Sequence, residues 1–138
     1  ITRAVQADVT ILGPDAALPA ADSPMFGFSI SMLGDMNADG YDDLAAGAPQ
    51  ERGLNGQRRG GAVWVCAGDG QPGERSAAST CTARINDEPG SLHYLGWAVE
   101  IIGSIDGDDR ADLLIGEGGY MVDGFETGRV GIWVGADL

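Results

Sequence analysis

Two stretches of the chain alternate large apolar residues with small or polar ones. The large positions are Phe26, Phe28, Ile30 and Met32 in the first stretch and Leu95, Trp97, Val99 and Ile101 in the second. A period of two predicts a β-strand, because successive side chains of a strand point to opposite faces of its sheet. Large residues on one face and small residues on the other favour strands that are closely packed on both sides.

Each alternating stretch begins a repeated unit with the same order of elements. An acidic loop follows it, then a short strand beginning at the last acidic residue, then a strand rich in β-branched and aromatic residues. Besides the alternating stretches, the predicted strands lie at residues 8–12, 43–48, 61–67, 82–85, 112–116 and 128–134. The chain is therefore predicted to be one all-β segment. Its first unit spans residues 26–86, and its second spans residues 95–135 without an outer strand of its own.

Composition and charge narrow the class of protein. Of the 138 residues, 23 are glycine and 43% are hydrophobic, which favours short strands and tight turns over helices. The net charge of −13 argues against nucleic acid or an anionic membrane as a partner, because both require a basic face. No apolar run reaches about 18 residues, so membrane insertion is not expected. The chain begins at Ile1 without a signal-peptide pattern, and we expect a processed or excised piece of a longer protein.

Cys66 and Cys81 are the only cysteines, and their sequence leaves two states open. A disulfide between them would close a short loop, contribute about 3 kcal/mol and imply an oxidising compartment. The alternative is a pair of buried free thiols. No CxxC motif for a metal or for redox chemistry is present.

The first acidic loop, residues 35–43, has the composition of a site for a hard cation. Oxygen-bearing side chains occupy its first, third, fifth and ninth positions, namely Asp35, Asn37, Asp39 and Asp43. Calcium takes about six to eight oxygen ligands, the carbonyl of Tyr41 offers a further one, and Gly40 permits a sharp turn. Three carboxylates this close repel one another unless a cation lies among them. The alternative is an Asx-rich surface turn without a metal.

An EF-hand loop is the competing interpretation of this acidic string. That loop requires a bidentate glutamate at its twelfth position and a helix on each side. The twelfth residue counted from Asp35 is Ala46, and the flanking residues alternate like strands. The sequence excludes an EF-hand on both counts.

The residues around the first loop resemble the FG-GAP repeat, the calcium-binding blade motif of the integrin alpha-subunit β-propeller. Phe26-Gly27 precedes the loop, Gly34 adjoins it, and Gly47-Ala48-Pro49 follows it. The resemblance covers residues 26–135 in two copies, of which the first is close to the ideal pattern.

The second copy departs from the pattern at several positions. Leu95-Gly96 replaces Phe-Gly, and Gly116-Glu117-Gly118 replaces Gly-Ala-Pro. In its loop, Ser104 replaces the leading aspartate and Asp109 replaces the glycine, although aspartate tolerates a left-handed backbone. The resemblance implies two calcium sites, the second weaker than the first. The ligands it implies are Asp35, Asn37, Asp39, Asp43 and the Tyr41 carbonyl at the first site, and Ser104, Asp106, Asp108, Asp112 and the Arg110 carbonyl at the second.

The resemblance also implies one four-stranded antiparallel blade per unit, arranged radially, with calcium between the first and second strands. Propellers close with about four to eight blades, so two blades alone leave apolar faces uncovered. The ring is then completed either by further blades of a longer chain or by several identical chains. In a homo-oligomer, residues 8–12 would serve as the outer strand of an adjacent blade by strand exchange between protomers.

An enzyme is not expected. A Ser-His-Asp or Cys-His arrangement requires a histidine, and the only one is His93, in a predicted turn with no nucleophile near it in sequence. The carboxylates best placed for glycoside hydrolysis are already assigned to calcium.

The leading interpretation is a calcium-stabilised extracellular binding or adhesion module. In the family, partners are engaged mostly on the face opposite the calcium loops. The connections that build this face here are residues 14–25, 50–60, 87–94 and 118–127. Arg52, Arg58 and Arg59 would face Tyr120 and Phe125 there and form a mixed basic and aromatic surface.

Two alternatives remain at this stage. One is a carbohydrate-binding, lectin-like propeller that stacks sugars on tryptophan, although the predicted strand positions favour core packing for Trp64, Trp97 and Trp133. The other is a structural scaffold with no ligand besides calcium.

Overall fold

Strands form almost all of the regular structure. The computed structural model describes residues 9–14, 23–52, 59–88 and 92–135. The strands in this part of the chain are β1 (Val9–Leu12), β2 (Ser29–Ser31), β3 (Leu44–Ala48), β4 (Ala62–Cys66), β5 (Gly73–Ser76), β6 (Cys81–Asn86), β7 (Leu95–Ile102), β8 (Asp112–Glu117), β9 (Met121–Val122), β10 (Phe125–Glu126) and β11 (Arg129–Trp133). One short helix, α1 (Ala77–Thr80), lies between β5 and β6.

Seven of these strands form two antiparallel sheets, one for each repeated unit. The first sheet has the order β2-β3-β4-β6 and the second has the order β7-β8-β11. Ala46 of β3 pairs with Ile30 on one side and Trp64 on the other, and Val99 of β7 pairs with Ile115 of β8. The predicted all-β fold of blade-like antiparallel sheets is confirmed.

The two sheets pack with the large face of β7 on the small face of β2 and β3. Val99 and Ile101 of β7 are buried in this interface. The hydroxyl of Ser29 donates to the carbonyl of Gly96 at 2.8 Å, and the backbone N–H of Ile101 donates to the hydroxyl of Ser31 at 2.9 Å. Large residues from one unit therefore meet small residues from the other. The contact joins two different faces, so the two units pack head to tail.

Two apolar clusters lie on the two faces of the first sheet. The larger lies between the sheets and contains Met36, Ala45, Val63, Val65, Leu95, Val99, Ile101, Ala111, Leu113 and Ile115. The smaller lies on the opposite face and contains Ala48, Ala62, Trp64, Cys66 and Ala77. Alternate residues of β4 supply the two clusters, as the period of two in a strand requires.

The other face of β2 is less covered than the alternating pattern predicts. Phe28, Ile30 and Met32 are exposed, and the strand extends only over Ser29–Ser31. The prediction of close packing on both sides therefore does not hold for this strand within the described residues.

The strand predicted at residues 8–12 is present, but its partner was not foreseen. Residue 8 lies outside the described residues, and β1 pairs in parallel with β5 of the same chain, with Val9 opposite Gly73. No strand or helix is predicted at residues 68–80, whereas they contain both β5 and α1. The role of residues 8–12 as an outer strand of an adjacent blade stays a prediction.

Cys66 and Cys81 are joined by a disulfide bond. They lie opposite each other at the ends of β4 and β6, next to a register shift between these strands. Of the two states that the sequence leaves open, the bonded one is present. The bond ties the outer strand of the first sheet to its neighbour.

Candidate metal sites

The two acidic loops lie side by side at one end of the sheets. The first connects β2 to β3 and the second connects β7 to β8, as predicted. The backbone N–H of Ala111 in the second loop donates to the carbonyl of Asp35 in the first at 2.9 Å. Met36 of the first loop is buried in the cluster between the sheets together with Ala111. The loops are therefore connected to each other and to the interface between the sheets.

Side chains of the first loop accept hydrogen bonds from the backbone of the same loop. The carboxylate of Asp35 accepts from the N–H groups of Asp39 at 3.1 Å and Gly40 at 2.8 Å. Asn37 Oδ1 accepts from the N–H of Asp39 at 2.9 Å, and Asp39 Oδ1 accepts from the N–H of Tyr41 at 2.9 Å. Oxygens at the first, third and fifth positions are thus gathered around one turn.

The second loop repeats most of this arrangement. At its first position the donors are the fourth and fifth residues, whereas in the first loop they are the fifth and sixth. The hydroxyl of Ser104 accepts from the N–H groups of Gly107 at 3.0 Å and Asp108 at 3.1 Å. Asp106 Oδ1 accepts from the N–H of Asp108 at 3.2 Å, and Asp108 Oδ1 accepts from the N–H of Arg110 at 2.9 Å. Serine at the first position therefore accepts the same kind of bond as the aspartate it replaces.

The aspartate at the ninth position has a second role that the sequence did not reveal. Asp43 is 1% exposed and accepts from the N–H groups of Met36 at 2.8 Å and Gly68 at 3.0 Å. Asp112 is 0% exposed and accepts from the N–H groups of Ile105 at 2.6 Å and Gly135 at 2.9 Å. Each carboxylate ties the start of its loop to the segment that follows the third strand. No local sequence signal identifies Gly68 and Gly135 as donors.

The two loops also share left-handed backbone conformations at the same two positions, although glycine occupies a different one of these positions in each loop. The fourth and sixth positions are left-handed in both: φ is 63° at Ala38 and 89° at Gly40 in the first loop, and 85° at Gly107 and 67° at Asp109 in the second. Each loop thus places one glycine and one side-chain-bearing residue at these two positions. The left-handed backbone expected at Asp109 is confirmed. The left-handed backbone of Ala38 was not predicted.

The donor atoms of both loops are oxygens, the ligand type that calcium prefers. In the second loop, carboxylate oxygens of Asp106, Asp108 and Asp112 lie within 4.8 Å of one another. The first loop has the amide of Asn37 where the second has Asp106, and its carboxylates form no such group. Hydrogen bonding from the N–H of Gly40 lowers the pKa of the Asp35 carboxyl, although desolvation opposes it. The residues present fit a hard cation, while the carbonyl roles of Tyr41 and Arg110 and the order of affinities stay predictions.

The three tryptophans differ in their surroundings. Trp64 is buried, and its indole N–H donates to Glu51 Oε2 at 2.7 Å. Trp133 packs against the cluster between the sheets, whereas Trp97 is 50% exposed. Core packing therefore holds for Trp64 and Trp133 but not for Trp97.

The opposite end of the sheets carries part of the predicted basic and aromatic surface. Arg59 donates to the hydroxyl of Tyr94 at 3.3 Å, and Phe125 is exposed on the β9–β10 hairpin. Arg58 lies outside the described residues. The hairpin itself was not predicted, although the Asp-Gly pair at its turn is a known hairpin signal. Among the described residues, no helix has the length and apolar character needed to cross a membrane.

Comparisons with known proteins agree with the repeat and its loops. The family model for the FG-GAP repeat matches residues 26–66. Integrin alpha-10 of Homo sapiens is 33% identical over 122 residues, covering 85% of this chain and 9% of that protein. Integrin alpha-PS5 of Drosophila melanogaster is 38% identical over 104 residues, covering 74% of this chain and 10% of that protein. Integrin alpha-5 of Xenopus laevis is 32% identical over 116 residues, or 82% of this chain.

The chain thus spans only about a tenth of the length of these relatives, and it aligns with them over most of its own length. The matched family region contains the first acidic loop and the strands on either side of it. The chain belongs to the FG-GAP repeat family and is similar to a segment of integrin alpha subunits.

Proposed function

We propose that this chain is a calcium-stabilised extracellular module for binding or adhesion and is not an enzyme. The observation that carries the calcium assignment is the shared hydrogen-bond pattern of the two loops, in which oxygens of equivalent positions surround equivalent turns. Such repetition in two loops with different side chains favours a common ligand over two unrelated surface turns. The similarity to integrin alpha subunits supports an adhesion-type role.

Calcium at these loops would neutralise carboxylates that otherwise repel one another. Asp35, Asn37, Asp39 and Asp43 would hold the first ion, and Ser104, Asp106, Asp108 and Asp112 would hold the second. The loops contact each other through Asp35 and Ala111 and contact the interface through Met36. Bound calcium would therefore stabilise the packing of one sheet on the other as well as the loops themselves.

The exposed parts of the outer faces of the two sheets support a ring of blades, although α1 and β1 cover part of the outer face of the first sheet. The exposed face of β2 carries Ile30 and Met32, and the exposed face of β7 carries Ala98 and Glu100. Within the chain, the face of the second unit that carries large residues packs on the face of the first unit that carries small residues. The two remaining faces are large on the first unit and small on the second, so they are complementary in the same way. Head-to-tail contacts of this kind close into rings when the rotation permits. Further copies of the chain or further blades of a longer polypeptide would complete the ring.

We place a protein partner on the face opposite the acidic loops. Arg59, Tyr94 and Phe125 lie at that end and combine a cation with exposed aromatic surface, a composition enriched in protein interfaces. The net charge of −13 disfavours nucleic acid. The disulfide between Cys66 and Cys81 favours an oxidising, extracellular location.

A carbohydrate-binding propeller is the second candidate, because Trp97 is half exposed. Its ring lies 5.0 Å from that of Phe28, centroid to centroid, and borders an open cavity of about 360 Å³ lined also by Thr127 and Arg129. A glycan array with wild-type chain and Trp97→Ala separates the candidates. Calcium-dependent hits that disappear in the variant favour the lectin, and the absence of hits favours a protein partner or a structural scaffold.

Calorimetric calcium titration tests the metal assignment. We expect two equivalents for the wild-type chain, and one equivalent each for Asp39→Asn and Asp108→Asn, which change the same position in the two loops. Asp69→Asn is the matched control, because Asp69 lies outside the loops and pairs with Arg75. The proposal fails if calcium does not bind at millimolar concentration, or if both loop variants retain two equivalents.

A further inference from the structure

A second group of possible metal ligands lies at the end of the sheets opposite the acidic loops. Asp87 follows β6 of the first sheet, His93 precedes β7, and Glu117 is the last residue of β8. One ligand atom from each of the three lies within 4.8 Å of the others. Because Asp112 begins β8 and Glu117 ends it, a five-residue rise of about 17 Å separates this group from the second acidic loop.

The spacing of the ligand atoms suits a small transition-metal ion. His93 Nδ1 lies 3.2 Å from Asp87 Oδ2 and 3.7 Å from Glu117 Oε2. Ligands about 2.1 Å from a tetrahedral zinc ion lie about 3.4 Å from one another. The observed separations bracket that value. The set of one imidazole and two carboxylates also differs from the all-oxygen loops, which suit calcium.

A buried oxygen of Asp87 that accepts no hydrogen bond also points to a ligand at this place. Asp87 is 3% exposed, and its Oδ2 accepts no hydrogen bond among the described residues, where it contacts His93 Nδ1 at 3.2 Å. Its Oδ1 accepts from the N–H of Glu88 at 2.7 Å and contacts His93 Nδ1 at 3.2 Å. A buried carboxylate oxygen that accepts no hydrogen bond is costly, and a bound cation is one established reason for finding one.

From this geometry we infer that Asp87, His93 and Glu117 form a binding site for a divalent transition-metal ion such as zinc, separate from the calcium loops. Three protein ligands would leave a fourth position for water or for an external group. The His93 side chain is 16% exposed, which leaves a route for the ion to enter. The ion would connect the outer strand of the first sheet to the second sheet.

Two neighbours hold the proposed ligands in place. Arg129 donates to both oxygens of Glu117, through Nε at 3.0 Å and Nη2 at 2.9 Å, and its guanidinium lies 4.1 Å above the ring of Tyr120. Tyr120 in turn packs on His93, with 4.7 Å between ring centroids. A carboxylate offers about four lone-pair sites, so Glu117 retains acceptor capacity beside Arg129.

The only histidine of the chain makes the test specific. The chain is kept saturated with calcium so that the acidic loops are occupied, and zinc chloride is titrated while the ring signals of His93 are followed by NMR. We expect these signals to shift at one equivalent of zinc. Calorimetry under the same conditions should show at least about a tenfold loss of zinc affinity in His93→Gln and Asp87→Asn.

Asp108→Asn serves as the control, because it alters a calcium loop and leaves this group intact. It should bind zinc like the wild-type chain. The inference is overturned if excess zinc leaves the His93 ring signals of the wild-type chain unchanged, a readout that needs no variant to fold. It is also overturned if folded His93→Gln binds zinc as tightly as the wild-type chain, because the ion would then lie elsewhere.

Discussion

Gly47 of β3 lies directly against Gly96 of β7, so the two sheets meet backbone to backbone. A Cβ atom at position 47 would overlap the carbonyl oxygen of Gly96, and one at position 96 would lie 2.6 Å from the carbonyl oxygen of Ala62. The carbonyl of Gly47 also accepts from the N–H of Gly27 at 3.0 Å. The glycines of the repeat motif therefore set both the turn within a unit and the distance between units.

Alanine at position 96 should destabilise the chain much more than alanine at position 27. Both glycines have a left-handed backbone, with φ of 86° and 81°, but a Cβ at position 27 would meet no atom within 4 Å. We expect Gly27→Ala to cost about 1–2 kcal/mol from backbone strain alone, and Gly96→Ala to cost about 3 kcal/mol or more because overlap is added. Urea unfolding with calcium present measures both values.

This pair of variants also reports on ring closure. If the chain assembles with further copies through the free face that carries Gly27, that glycine acquires a neighbour like the one Gly96 has. In that case Gly27→Ala and Gly96→Ala should destabilise the chain equally, and light scattering should show that assembly is lost. For the single chain we expect unequal destabilisation.

Glycine at position 38 should stabilise the chain. Ala38 has φ of 63°, whereas the second loop has Gly107 at the same position. Removal of the Cβ relieves backbone strain in the folded chain, and this gain exceeds the entropic cost of a more flexible unfolded chain. We therefore expect the free energy of unfolding to rise by about 0.5–1 kcal/mol. Ala98→Gly in the exposed part of β7 is the control and should instead lose about 0.5–1 kcal/mol. A loss of stability in Ala38→Gly would contradict the assigned loop backbone.

Substitutions at the fifth and ninth positions of a loop should have different effects without calcium. Asp39 is exposed, so Asp39→Ala should change the free energy of unfolding in chelator by less than about 1 kcal/mol. Asp43→Ala should cost about 3 kcal/mol in chelator, because it leaves the N–H groups of Met36 and Gly68 without their acceptor. Chemical unfolding in excess chelator compares the two. Equal effects would mean that Asp43 acts only through the metal.

Removal of the disulfide should destabilise the folded chain without changing its fold. The bond joins residues 15 apart in sequence, and a loop of this length contributes about 3 kcal/mol. The double variant Cys66→Ala/Cys81→Ala avoids new thiol chemistry and should show that loss in denaturant unfolding, while its circular dichroism stays β-like. A double variant as stable as the wild-type chain would contradict the assigned role of the bond.

The sequence predicts the sheets well because their signals are local and occur twice. The strands and acidic loops follow from alternation and from the repeat, and the equivalence of Ser104 with Asp35 follows from alignment of the two units. The hydrogen bonds from Gly68 to Asp43 and from Gly135 to Asp112 could not be predicted. Both donors are backbone N–H groups of glycines in distant segments, which carry no side-chain signal. The group around His93 could not be predicted either, because Glu117 lies 24 residues further along the chain and is brought to the nearby Asp87 and His93 only by the fold.

The central claim is that calcium holds the two loops, and through them the two sheets. Its most direct test is the melting temperature of the wild-type chain in about 10 mM calcium and in excess chelator. Extracellular calcium sites have dissociation constants of about 10⁻⁴–10⁻³ M, so each site should contribute about 1.4–2.7 kcal/mol at that concentration. Two sites should raise the melting temperature by roughly 10 °C or more. A melting temperature that does not change on chelation would contradict the account.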